Sequence, residues 1–304
     1  MTSVYNRSVH RYAIFLAICT FFLLIAGALV TSNDAALSVP DWPLSYGSLA
    51  PPMVGGIRYE HTHRVIAALV GLLTIIFAIS LWRCEQRRWV RALGLAAVGA
   101  VIAQGLLGGL TVLLYLHYGI PVAHACLAQI FFGTVVSLAV FTSRWWMSDL
   151  PQLEDHRSPS IHWLATLTSA VIFLQVVLGA GFRHRDIPIW PHAIGAVVVL
   201  GVVTWTAVAL KKRFASSAEM SRIRVLLHAI LGTQLLLGIA AWWARTAADS
   251  EPQPIGLLVA TTVTHTVVGA LLFALSIVVA LVCYRLVPRS REVAATSQRQ
   301  VTVG

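Results

Sequence analysis

Charge is what this chain has least of. Its 304 residues hold 12 Asp and Glu and 22 Lys and Arg, 11% together, against a hydrophobic share of 58%. A water-soluble domain carries about 25% charged residues, so a soluble globular fold is excluded and most of the surface must face lipid. Cysteine is also scarce. Cys19, Cys126 and Cys283 sit in apolar runs and Cys84 in a basic loop. No two share an outer loop and there is no CxxC motif, which excludes a disulfide framework. The formal net charge of +10 does not point to nucleic acid, because its distribution follows the membrane topology instead.

What the chain has in abundance is long apolar runs. A spanning helix needs about 20 mostly apolar residues. Eight segments qualify: 11–32, 62–82, 91–115, 121–142, 161–182, 190–210, 222–244 and 256–285. The N-terminal run is too long for a signal-peptide core and lacks a small-x-small cleavage site, so it reads as a retained first helix. Placing both termini and the even-to-odd loops on one side puts 17 of the 22 Lys and Arg there and five on the other. The positive-inside rule then makes both termini cytoplasmic in a multi-pass plasma or inner membrane protein, with the Pro- and Gly-rich 33–59 connection facing outward.

The fold class expected is all-α and polytopic, with eight transmembrane helices forming two pseudo-repeated four-helix bundles. The repeat shows in "QGLLGG" from Gln104, "QVVLGA" from Gln175, "QLLLGI" from Gln234 and the related "FLLIAGALV" of the first helix. Each precedes an outer loop and a helix bearing a histidine: His63, His124, His192 and His265. The domains expected are an N-terminal half at 1–146, a cytoplasmic linker at 147–160, a C-terminal half at 161–287 and a disordered tail at 288–304.

A polar side chain inside a membrane helix is costly and marks function. Imidazole suits iron, and haem takes axial histidines. Two histidines in each half would make two bis-imidazole sites. Each is followed four residues later by a small residue, Ala67, Ala128, Ala196 and Gly269. Positions i and i+4 share a helix face, so a planar macrocycle is expected to lie there. Glu60 precedes His63 by three residues on neighbouring points of one face, while His61 points about 200° away from His63. A carboxylate so placed would orient water, take a proton or stabilise positive charge on a reacting carbon; its alternative role is to favour the helix N-terminus.

"SVPDWPLSYGSLAPPMVGG" followed by "YEHTHR", and "GLLGGLTVL" followed by "PVAHACLAQ", resemble the haem A synthase family. "WPHAIGA" and "THTVVGALL" carry the resemblance into the second half. The resemblance implies an oxidoreductase acting on a methyl group. The C8 methyl of haem O becomes a formyl group by two hydroxylations and loss of water, supplying haem A to terminal oxidase. It implies that His63 and His124 bracket the substrate haem, that His192 and His265 ligate a haem b relaying electrons, and that Glu60 is the catalytic carboxylate. Arg64, Asp41 and Trp42 are candidate substrate-edge contacts. Partners implied are membrane lipid, a haem O synthase, oxidase assembly factors and a possible second copy of the chain. One branch of the family carries a cysteine pair in the first outer loop, which this chain lacks. The alternative is a di-haem b-type electron-transfer protein without methyl oxidation. A transporter would show charged midplane residues, and none is evident.

Overall fold

The computed structural model describes residues 5–248, 251 and 255–288. Among them are nine helices: α1 (Arg7–Ser32), α2 (Ile57–Cys84), α3 (Arg88–Leu113), α4 (Ile120–Phe141), α5 (Arg144–Met147), α6 (Ile161–Arg183), α7 (Ile189–Arg213), α8 (Ala218–Ala247) and α9 (Gly256–Leu286). All but α5 are long and apolar enough to cross a membrane. The protein is therefore all-α with eight membrane-spanning helices. The expected spans hold to within a few residues. The largest shift is at α2, which begins at Ile57 and brings Glu60 and His61 inside the helix. α5 is an addition, a single turn whose N-cap Ser143 accepts from the amide of Trp146. Residues 289–304, most of the expected tail, lie outside the described residues.

α1 to α4 pack as neighbours in a closed cycle, and so do α6 to α9. α1 and α4 meet α9, and α4 also meets α6. Two hydrophobic cores follow this division. One gathers Ala13, Leu16, Phe77, Leu81, Val90 and Leu138. The other gathers Ile161, Leu164, Leu210, Met220, Leu227 and Cys283. A small cluster of Phe132, Ala270 and Ala274 seals the seam. The approach there is close: a Cβ on Gly133 would lie 2.6 Å from Ile277 Cδ1.

Both cores are concentrated toward one end of the bundle, the linker end, where residues 143–160 run. Every buried residue of α7 lies at or beyond Val199. The opposite end, which carries the 33–56 loop, has far fewer buried apolar groups. It is joined by polar contacts: Arg183 Nη2 donates to the carbonyl of Thr31 at 2.8 Å, and Ser32 and Thr262 share a 2.9 Å hydroxyl contact. The linker end is tied down by ion pairs. Asp155 accepts from Arg213 at 3.0 Å and from the amide of Ile161 at 2.8 Å, at the start of α6. Arg87 pairs with Glu85 at 2.7 Å and reaches the carbonyl of Phe141.

Candidate functional site

The four singled-out histidines all stand in the loop-end half of their helices, on α2, α4, α7 and α9. Each is seated against a glycine of the preceding membrane-spanning helix. A Cβ on Gly27 of α1 would lie 3.1 Å from His63 Cε1, on Gly108 of α3 3.2 Å from His124 Cε1, on Gly179 of α6 2.9 Å from His192 Cε1, and on Gly238 of α8 3.1 Å from His265 Cε1. A side chain at Gly27, Gly108 or Gly238 would make the imidazole give by a few tenths of an ångström, and at Gly179 by more. The glycines of the repeated apolar runs are thus ring seats, a role that composition alone does not reveal.

The glutamines of the same runs lie four residues earlier, one turn along the same face. Gln104 Nε2 donates to the carbonyl of His124 at 3.0 Å and lies 3.3 Å from His124 Nε2. Gln175 Nε2 donates to the carbonyl of His192 at 2.8 Å. Gln234 Nε2 lies 3.4 Å from His265 Nε2. These amides occupy space that small residues leave open. A Cβ on Gly269 would lie 3.0 Å from Gln234 Nε2, and one on Gly195 would lie 2.1 Å from Gln175 Oε1. The small residue one turn beyond His265 therefore admits a glutamine, where the sequence suggested a flat bed for a macrocycle.

Eight buried side-chain polar atoms have no hydrogen-bond partner among the described residues. They are Nδ1 of His63, His124, His192 and His265, and Oε1 of Gln104, Gln129, Gln175 and Gln234. Native proteins leave few such groups, each calling for an explanation. Here they form two sets of four, one in each half, and all but Gln129 Oε1 belong to the histidines or to the glutamines that reach them. The His192 and His265 rings stand 6.2 Å apart, centroid to centroid, at 89°. An iron shared by two imidazoles requires a centroid separation of about 6 Å, from two metal–nitrogen bonds of about 2.0–2.1 Å and roughly 1.1 Å within each ring. The residues present fit a bis-imidazole haem. No cluster of three or more His, Cys, Asp or Glu occurs among the described residues; the imidazoles come in pairs.

The N-terminal half carries a further construction. Glu60 is buried in the first turn of α2, where Oε2 accepts from the amide of Val39 at 2.9 Å and Oε1 from Arg64 Nη2 at 2.6 Å. Arg64 also donates to the carbonyls of Asp41 at 2.7 Å, Leu44 at 2.6 Å and Val39 at 3.3 Å. His61 Nδ1 meets Ser45 Oγ at 2.9 Å, so its opposite side of α2 also faces the loop. Asp41 accepts from the amides of Tyr46 and Gly47, each at 2.7 Å. Those amides, Gly47 first, hold its carboxyl below the usual carboxylate range, with Arg64 assisting. Gly47 has φ +66°, a left-handed conformation that glycine adopts without a Cβ penalty. The Trp42 indole lies over Gly109 of α3, where a Cβ would come within 2.7 Å of Cδ2. The loop thus bridges α2 and α3 across the mouth of the N-terminal half.

Of the expected site residues, the structure brings Glu60, Arg64, Asp41 and Trp42 into one loop–helix assembly, and His192 and His265 into ring contact. What sequence reading missed is the role of the glutamines and glycines, which it took only as a repeat. Its signal was present as the repeated Q-x-x-x-G spacing.

The sequence also has recognisable relatives. Residues 57–189 match the COX15-CtaA family, described as cytochrome oxidase assembly protein. That stretch contains Glu60, His63, Arg64 and His124 and ends before His192. A haem A synthase of Alkalihalophilus pseudofirmus is 37% identical over 126 residues, 38% of this chain and 42% of the relative. One from Halalkalibacterium halodurans is 32% identical over 185 residues, 60% of this chain and 61% of the relative. One from Lysinibacillus sphaericus is 27% identical over 205 residues, 62% of this chain and 63% of the relative. The matches thus span between 42% and 63% of the length of these relatives. The chain is, at the level of the family, a homologue of the COX15-CtaA and haem A synthase proteins.

Proposed function

We propose that this protein is a haem A synthase, oxidising the C8 methyl of haem O to a formyl group. The observation that carries the reading is that seven of the eight partnerless buried side-chain polar atoms among the described residues belong to four histidines and to the three glutamines that reach them. Two macrocycles, one in each half, would occupy the loop-end regions that the hydrophobic cores leave to these polar groups. His63 and His124 would hold the substrate haem O. His192 and His265 would hold a haem b, which supplies electron transfer when bound.

The halves are pseudo-repeats of four helices each, supported by the recurrence of the same glycine–histidine seat in four helix pairs. Among the described residues, the buried carboxylate at the loop end is Glu60, in the N-terminal half. Glu60 lies one turn toward the loop end from His63 on the same face of α2. Its two oxygens hold an arginine and a loop amide. A proton taken up there would weaken the grip of Arg64, so proton handling at Glu60 is tied to closure of the loop. Arg64, Asp41 and Trp42 shape that loop, which would exclude bulk water and line the substrate edge. With both termini cytoplasmic, as the Lys and Arg distribution requires, this chemistry faces the outer side of the cell membrane. A haem O synthase would deliver the substrate, and oxidase assembly factors would take the product.

Pigment analysis tests the reading. The protein is produced with a source of haem O and purified in detergent, and its haems are identified by chromatography and mass. Haem A or its hydroxylated precursor is expected, lost in Glu60→Gln with haem b retained. Haem b alone in both, despite available haem O, would leave a di-haem electron-transfer protein.

A further inference from the structure

Residues 42–45 of the loop lie against the outer side of α2 and α3. His61 shares a stripe of α2 with Val65, Leu72 and Ile79, which follow it by four, eleven and eighteen residues. All three are exposed apolar side chains of a membrane-spanning helix, so this stripe faces lipid. Ser45 covers its loop end, with Oγ 2.9 Å from His61 Nδ1. The same holds on α3. Gly109 shares a stripe with Ile102, Leu106 and Leu113, again exposed, and the Trp42 indole lies over that glycine. The loop thus touches the lipid-facing sides of two spanning helices.

Its own surface continues that apolar belt. No Asp, Glu, Lys or Arg occurs between Asp41 and Arg58. Leu44, Tyr46, Leu49, Met53 and Val54 are exposed, Leu49 at 82% and Val54 at 63%. The nearest guanidinium is turned inward: Arg64 donates to Glu60 and to the carbonyls of Val39, Asp41 and Leu44, which satisfies backbone that lipid could not. Irregular backbone is excluded from the hydrocarbon layer itself, whereas apolar and tyrosine side chains on a polar frame suit the headgroup level. A contiguous exposed apolar patch marks a contact surface, and this one adjoins the lipid-facing belt. We infer that the 42–57 segment is a membrane-seated surface. Its partner is the headgroup–acyl boundary of the leaflet on the loop side, with Leu49, Met53 and Val54 set among the lipids.

Depth-dependent quenching tests it. A fluorophore is attached at Leu49→Cys in a full-length Cys84→Ser background, because Cys84 is the exposed native cysteine. The protein is placed in phospholipid nanodiscs, with the Cys84→Ser parent as the blank. Leu106→Cys on α3 marks lipid, and Arg185→Cys, exposed in the α6–α7 connection, marks water. Phospholipid brominated on the upper acyl chain should quench the Leu49 probe at least twofold, as it does at Leu106. Aqueous iodide, which quenches at Arg185, should leave the Leu49 probe nearly unchanged. Val54→Cys repeats the reading should Leu49→Cys misfold. Quenching by iodide and not by brominated lipid would overturn the inference and leave a water-facing loop. Quenching by neither would also overturn it, since a protein, whether a second copy of this chain or another, would then cover the patch. The measurement needs no haem, so its outcome is separate from that of the proposed reaction.

Discussion

Arg64 and Glu60 stand one turn apart on α2, Nη2 to Oε1 at 2.6 Å, and the same guanidinium holds the carbonyls of Val39, Asp41 and Leu44. Their side chains are only 14% and 5% exposed. Removing one member of a buried pair strands the other and costs about 3–5 kcal/mol, far more than the 0–1 kcal/mol of an exposed pair. Arg64→Gln should therefore free the 33–56 loop. Limited proteolysis should cut the loop at least tenfold faster than in the wild type, with haem in the C-terminal half unchanged. Unaltered cleavage would mean that Trp42 on Gly109 suffices to hold the loop.

The ring seats make a steric prediction with opposing terms. Gly→Ala in a helix interior gains about 1 kcal/mol of helix propensity, whereas overpacking costs about 1–3 kcal/mol. At Gly179 the added Cβ would lie 2.9 Å from His192 Cε1, and at Gly108 3.2 Å from His124 Cε1. Gly179→Ala should lower bound haem and shift its Soret band, and Gly108→Ala should do so less. The readout is haem per chain after detergent purification. Equal haem content in both variants and the wild type would show that the rings move without consequence.

Asp41 links the loop to pH. Its folded-state pKa lies below the ordinary value, chiefly because the Gly47 amide donates to it. A depressed carboxylate stabilises the fold above its unfolded pKa of about 3.9, and that contribution is lost as pH falls through the folded value. The loop should hold at pH 5 to 8 and begin to open below about pH 4. Hydrogen exchange of the Tyr46 and Gly47 amides should report it, and Asp41→Asn should exchange faster at neutral pH. Exchange in Asp41→Asn that matches the wild type would remove Asp41 from the fold of the loop.

At the linker end, Asp155 is 2% exposed and Arg213 9%, with Asp155 also accepting from the first amide of α6. Asp155→Asn should lower the unfolding midpoint by several degrees while leaving the haem spectrum unchanged, since the pair lies at the far end of the bundle from the histidines. A spectral change of the size seen in Gly179→Ala would show that the two ends are coupled.

The helices were legible because hydropathy is local: 20 apolar residues span a membrane whatever packs beside them. Glu60 and His63 were legible as one face because helical periodicity needs no partner. His61 was readable only as pointing elsewhere, since its partner Ser45 lies in an irregular loop. Asp41 and Trp42 read as substrate contacts or loop formers, and the structure places Asp41 on loop amides and Trp42 on Gly109. The small residue after each histidine was visible, but the glutamine that lies against Gly269, one turn beyond His265, belongs to another helix.

By itself the sequence determined the number of spans, their charge asymmetry, the four histidines and the Q-x-x-x-G repeat, because each is a property of neighbouring residues. The tertiary structure decided which glycine seats which ring, which glutamine reaches which histidine, and that Arg64 gathers a loop more than 20 residues away. Those are contacts between helices. They depend on which faces pack at the seams of the bundle, and side-chain hydrogen bonds of this kind leave no period in the chain to read.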